Sequence, residues 1–138
     1  MAAGVYNRAL NNVTITDLRV LLVKGYTVDK DHATVAAILA SAGCDECDFD
    51  NYARKALADE AFTVDNGTDT GKLDATDPTI WAAAGGTTDN LVSHAIVYEH
   101  VGADDGSNLP VSYHTVGKNT NGGDLDIDLG AAGIFTTT

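Results

Sequence analysis

The apolar segments of this chain are short, rich in β-branched residues, and broken at close intervals by Gly, Asp and Asn. That punctuation excludes long helices and calls for many short strands joined by tight turns. The acids reinforce it, because only Glu46, Glu60 and Glu99 are glutamate and the rest are Asp. Asp is poor inside helices and strands and favours caps and turns. The run Leu18–Lys24 is the strongest strand signal, closed by Gly25, and its continuous apolar centre predicts burial on both faces. Thr34–Ser41 reads as a short Ala-rich helix with Val35, Ile38 and Leu39 on one face, Asp31 as its cap and Gly43 as its stop. Tyr52–Ala61 is ambiguous: its propensity is helical, yet Tyr52, Arg54, Ala56, Ala58 and Glu60 alternate as a strand would.

Beyond Phe62 the pattern is β throughout. Ala61–Val64 and Lys72–Ala75 predict a hairpin around Asn66 and Gly67. Further strands are expected at Thr79–Ala82, Leu91–Val101 (the longest), Pro110–Val116, Asp124–Leu129 and Ile134–Phe135. The expected fold is therefore mainly β: an antiparallel β-sandwich or small barrel, jelly-roll or immunoglobulin-like, with one short helix in its N-terminal half. Residues 1–16 are polar and read as an extended N-terminal arm, and 17–138 as a single β domain. A chain of 138 residues buries roughly 65–70% of its unfolded surface, so it needs neither metal nor disulfides to fold.

Charge narrows the partners. Eight Lys and Arg against 20 Asp and Glu leave a formal charge of -12. Phosphate contacts need clustered Lys and Arg, so nucleic acid is excluded as a partner, and an anionic membrane is disfavoured. The excess is uneven: beyond Lys72 the only basic side chain is Lys118, while nine acids lie there. The N-terminus has no apolar run suited to a signal peptide, and no stretch reaches the length of a membrane helix. A cytoplasmic site of synthesis and assembly is expected, and the sequons at Asn12 and Asn66 are then chance matches.

The motifs that suggest chemistry each fall short of it. Cys44 and Cys47 form a CxxC pair, but Asp45, Glu46, Asp48 and Asp50 surround it with negative charge that raises thiol pKa. A structural zinc would need four ligands, and no second Cys pair exists. Asp124–Leu129 begins like a calcium loop, yet Leu129 and Phe135 stand where an EF-hand needs Gly and Glu. Strict alternation instead turns Leu125, Ile127 and Leu129 inward and the three Asp outward. A calcium site from loop acids such as Asp104 and Asp105 is the lesser alternative. Gly67–Lys72 is one residue short of a phosphate loop and has Leu73 where magnesium needs Ser or Thr. His94, His100 and His114 fall in expected strands, with His94 and His100 on one face but about 20 Å apart, and are read as exposed or pore-lining. No Ser-centred nucleophile elbow or metalloprotease spacing is present. The expectation is a protein that is not an enzyme, with no catalytic, cofactor-binding or metal residues.

The order of several motifs resembles a family of small virion proteins encoded among the structural genes of tailed bacteriophages. Thr79, Ile80 and Trp81 precede a Gly/Thr loop; Ala95–Tyr98 forms a long strand; Leu109–Tyr113 follows a polar loop; and Gly133, Ile134 and Phe135 end the pattern. Leu18–Val23 with Gly25 and Tyr26 matches the family's opening strand. The resemblance covers about two-thirds of the chain and departs from the family at Gly43–Ala61, within a variable insert at about 31–61. It implies that Trp81, Tyr98, Tyr113 and Phe135 are core. It further implies a capsid decoration (cement) protein on the exterior of the head, whose partners are the major capsid protein and copies of itself in a trimer or other cyclic oligomer. The alternative is a tail, collar or fibre-base component in host attachment, with the loops Gly85–Asn90, Gly102–Asn108 and Gly117–Gly123 as receptor-contacting tips.

Overall fold

A computed structural model describes residues 3–5, 17–65, 67, 70–76, 80–85, 90–127 and 135–137. Its strands are β1 (Ala3–Val5), β2 (Leu18–Lys24), β3 (Asp45–Glu46), β4 (Lys55–Ala56), β5 (Ala58–Asp65), β6 (Thr70–Thr76), β7 (Ile80–Trp81), β8 (Leu91–Glu99), β9 (Leu109–Asn119), β10 (Leu125–Asp126) and β11 (Phe135–Thr137); the helix α1 is Val35–Leu39. The principal sheet has the order β1-β9-β8-β2-β3, with β4 on the same side of β2 as β3. Smaller sheets pair β10 with β7, and β11 with β6 and β5. Among the described residues all pairings are antiparallel, and the principal sheet does not close on itself. The molecule is thus mainly β, as expected.

The apolar run at 18–24 explains why the core has two halves. Leu18, Val20 and Leu22 are fully buried on one face of β2, among Phe49, Leu57, Leu73, Trp81, Leu125 and Ile127. Leu21 and Val23 are equally buried on the other, among Tyr26, Val35, Ile38, Ile96 and Tyr98. Side chains alternate along a strand, so an uninterrupted apolar run requires cover on both sides. Trp81 and Tyr98 are core as the resemblance implies, and Tyr113 packs half-buried against the second cluster. For Phe135 the core expectation falls outside the described side chains.

α1 lies within the expected 34–41, but its cap is not Asp31. Thr34 Oγ1 accepts the Ala37 N–H at 3.1 Å, while Asp31 offers its own N–H to Asp29 Oδ1 at 2.9 Å in a separate turn. The β-branched cap is better placed because it directly precedes the first helical residue. Two further N–H groups of the first turn are satisfied by the distant loop after β8: Val35 donates to Asn108 O at 2.9 Å and Ala36 to Asp105 O at 3.0 Å.

Gly25 and Gly43 hold the backbones on either side of α1 together. Both have positive φ (68° and 78°), and a Cβ on Gly25 would collide with the Gly43 carbonyl. Only glycine fits such an approach.

The ambiguous stretch 52–61 is extended. Arg19 and Val20 of β2 pair with Ala56 and Lys55, and β5 pairs with β6, so non-local ladders override local helical propensity. Between β3 and β4 the edge of β2 is completed by other groups. Leu22 N–H donates to Tyr52 Oη at 3.2 Å, Cys47 N–H to Leu22 O at 2.9 Å, and Leu57 N–H to Leu18 O at 2.8 Å. The β5–β6 hairpin closes with Asp65 opposite Thr70, around Gly67 as expected. In β10 and the residue after it, Leu125 and Ile127 are buried while Asp124 and Asp126 are exposed, the alternation read from sequence; Leu129 lies outside the described residues. Of the arm over 1–16, residues 3–5 are described, and they form an edge strand on β9 with Gly4 opposite Tyr113.

Candidate functional site

The two cysteines are both buried and unpaired, and they face opposite ways. Cys44 belongs to the half of the core beneath α1, and Cys47 to the half beneath Trp81. Burial pushes the Cys47 thiol up to about 12, with Asp48 and Glu46 adding to the rise, and burial also raises Cys44. Burial thus favours the protonated thiol at both positions. Of the Gly67–Lys72 motif, Gly71 and Lys72 lie inside β6, so a strand and not a helix follows where a phosphate cradle needs a helix N-terminus.

Histidine positions correct the sequence reading. His114 is neither exposed nor pore-lining: it is 1% exposed, its Nε2 is 3.2 Å from Ser112 Oγ, and its Nδ1 is buried without a hydrogen-bond partner. Burial pulls its pKa down to about 4. His94 is half-buried between the edges of Tyr26 and Tyr113, at centroid distances of 5.6 and 6.1 Å, and burial lowers its pKa as well. The fourth histidine, His32, stacks on Tyr26, with its Nδ1 3.0 Å from the Tyr26 hydroxyl. Among the described residues no three His, Cys, Asp or Glu converge as metal ligands.

The most organised polar constellation is one that sequence reasoning did not single out. Arg54 forks onto Glu46 through Nε (2.8 Å) and Nη2 (2.8 Å), and onto Asp105 through Nη1 (2.7 Å) and Nη2 (2.9 Å). Nη1 also reaches Tyr98 Oη at 3.5 Å, and the guanidinium lies 5.5 Å from the Tyr98 ring centre. Tyr52 Oη donates to Glu46 Oε1 at 2.6 Å, and Asn108 Nδ2 to Asp105 Oδ1 at 3.1 Å. The Arg54 guanidinium is held firmly in its charged form by Glu46 and then Asp105, and Arg54 in turn lowers the Asp105 carboxyl. Its donors are consumed within the fold, so the cluster is a clamp, not a ligand pocket. It ties the 44–57 segment, which departs from the resemblance, to the loop that also caps α1. The signal available in sequence was the scarcity of cations: an Arg amid so many acids has partners on every side.

A second knot closes the opposite end of the sheet. Ala84 N–H donates to Gly123 O at 2.8 Å and Gly122 N–H to Ala84 O at 2.6 Å; Thr120 N–H reaches Asn90 O at 2.9 Å, and Asn90 N–H reaches Thr120 Oγ1 at 2.7 Å. Register fixes where the loops fall. Glu99 pairs with Leu109, and Leu91 with Asn119. The loop Gly102–Asn108 therefore lies at one end of β8 and β9, while Gly117–Gly123 lies at the other, beside Gly85 and Asn90. The loops Gly102–Asn108 and Gly117–Gly123 thus lie at opposite ends of the sheet.

What remains for interaction is surface. Asp17, Asp29, Asp31, Asp45, Asp48, Asp50, Asp104, Asp124 and Asp126 are exposed, and few cations offset them: Lys24 meets Asp48 at 2.9 Å and Arg19 meets Asp17 at 3.3 Å. Among the described residues no helix is long and apolar enough to cross a membrane. Compared with family models, curated proteins and solved structures, this chain matched none.

Proposed function

We propose that this protein is a bacteriophage virion structural protein, a decoration (cement) protein that binds the outside of the head and stabilises the shell. One observation carries the reading. Both cysteines and His114 are buried in the fold, whereas nine Asp side chains stand exposed on the described surface. Such a molecule is suited to adhering to other proteins by area and shape. Internal DNA pressure loads a capsid at its subunit boundaries, and an external protein bridging those boundaries adds interface without enzymatic work. Stable contacts of that kind bury on the order of 2,000 Å². Its partners are the major capsid protein and copies of itself, arranged as a trimer or other cyclic group. Assembly takes place in the host cytoplasm, and the carboxylate surface faces outward, where it discourages adhesion to released DNA. Strands of the smaller sheets, through Leu73, Trp81 and Leu125, pack on one face of the principal sheet, which supports a sandwich-like architecture of jelly-roll or immunoglobulin type for this role.

The alternative is a tail, collar or fibre-base component in host attachment, with the loops Gly85–Asn90, Gly102–Asn108 and Gly117–Gly123 as receptor-contacting tips. Quantitative mass spectrometry of purified particles separates the two. A decoration protein is present in hundreds of copies per particle, whereas tens of copies assign it to the tail and absence from particles overturns both readings.

A further inference from the structure

A surface charged as heavily as this one repels copies of itself except where acids are missing. The two longest stretches of the sequence without Asp or Glu are 106–123 and 1–16. They come together in the fold: β9 lies in the first, β1 in the second, and the two pair at one edge of the principal sheet. β11, from the acid-free stretch 129–138, lies beside β1. The sheet thus has one edge at which a second copy can approach without like-charge repulsion.

The ladder at that edge is also short. β1 meets β9 over Ser112–His114 only, in a strand that runs from Leu109 to Asn119. Whatever pairs β1 makes with β9 in one copy, β1 of any other copy makes identically. Twelve residues, 6–17, separate β1 from β2, and extended they span up to about 40 Å. The same strand can thus reach its own β9 or that of a neighbour.

We propose that the β1/β9 edge is the face on which a second copy of this chain docks, by exchange of β1, so that Ala3–Val5 of one copy pairs with Ser112–His114 of the next. Exchange of an identical element joins copies without requiring a new interface chemistry. The inference needs only the chain itself and stands apart from the virion reading, so purified protein tests it without particles.

The experiment uses full-length protein with Gly4→Cys and Tyr113→Cys, oxidised under native conditions. Residues opposite one another in an antiparallel pair are within disulfide reach, and the native thiols are buried. Non-reducing gels report whether the bond joins two chains, and light scattering of the unaltered protein reports mass against the 14.3 kDa of one chain. Exchange predicts an oligomer and disulfides between chains. A second variant, Lys118→Glu with Asn119→Asp, alters only exposed positions and places acids on the edge. It is expected to raise the dissociation constant about tenfold at low salt, with the effect shrinking as salt rises. A wild type of single-chain mass at all concentrations overturns the proposal, as does an oligomer whose disulfide never joins two chains.

Discussion

At the scale of single residues, burial against hydrogen bonding decides what each polar group does. His114 is the plainest case, because its Nδ1 is buried without a partner and protonation would place a charge in the core. Its folded pKa of about 4 lies below the ordinary 6.5, so the unfolded chain binds the proton more readily. Stability from this group is complete above pH 6.5 and is lost as pH falls toward 4, amounting to about 3 kcal/mol over the window at ~1.4 kcal/mol per unit. His94, lowered by burial, acts with the same sign. Asp105 is lowered by its bond to Arg54, so the stability it lends is lost only at more acid pH. Urea unfolding between pH 7 and pH 4 is expected to show a steady fall in stability, flattened in His114→Gln; a flat wild-type profile would contradict this. The inward Leu125 and Ile127 were legible because alternation with Asp is a local pattern. The Thr34 cap and the burial of His114 were not, since both depend on what packs from elsewhere in the chain.

At the scale of elements, the Arg54 clamp shows how a short helix and two-residue strands are kept in place. α1 has five residues, and helices this short are not stable by propensity. It is held by its apolar face and by the 102–108 loop, which the clamp secures through Asp105. Arg54→Ala leaves Glu46 and Asp105 facing one another, each only about a quarter exposed. The expected cost is about 2–3 kcal/mol in chemical denaturation, and Arg54→Lys restores less than half because an ammonium cannot fork onto two carboxylates. Values within 0.5 kcal/mol of wild type, on the scale of an ordinary surface substitution, would sink the clamp's structural role. The strands β2, β8 and β9 were legible because each is an apolar run bounded by turn residues. The clamp was not: its carboxylates stand 8 and 51 positions from Arg54, a separation no local pattern encodes. The stretch at 52–61 stayed ambiguous for the same reason, since its ladder partners lie in β2 and β6.

At the scale of the whole molecule, charge and topology bear on the same question. Net charge was legible from composition, and with it the expectation that nucleic acid and anionic membranes are poor partners. What composition could not supply is where the acid-free stretches meet, or that the loops Gly102–Asn108 and Gly117–Gly123 lie at opposite ends of the sheet; both follow from strand order. The reading that unites these features is a protein that works by covering other proteins. Cryo-electron microscopy of the purified particle tests it most directly. The account predicts density for this fold on the outer surface of the head, bridging boundaries between capsid subunits, with its carboxylates turned to solvent. Density confined to the tail, or a head surface without it, would contradict the account.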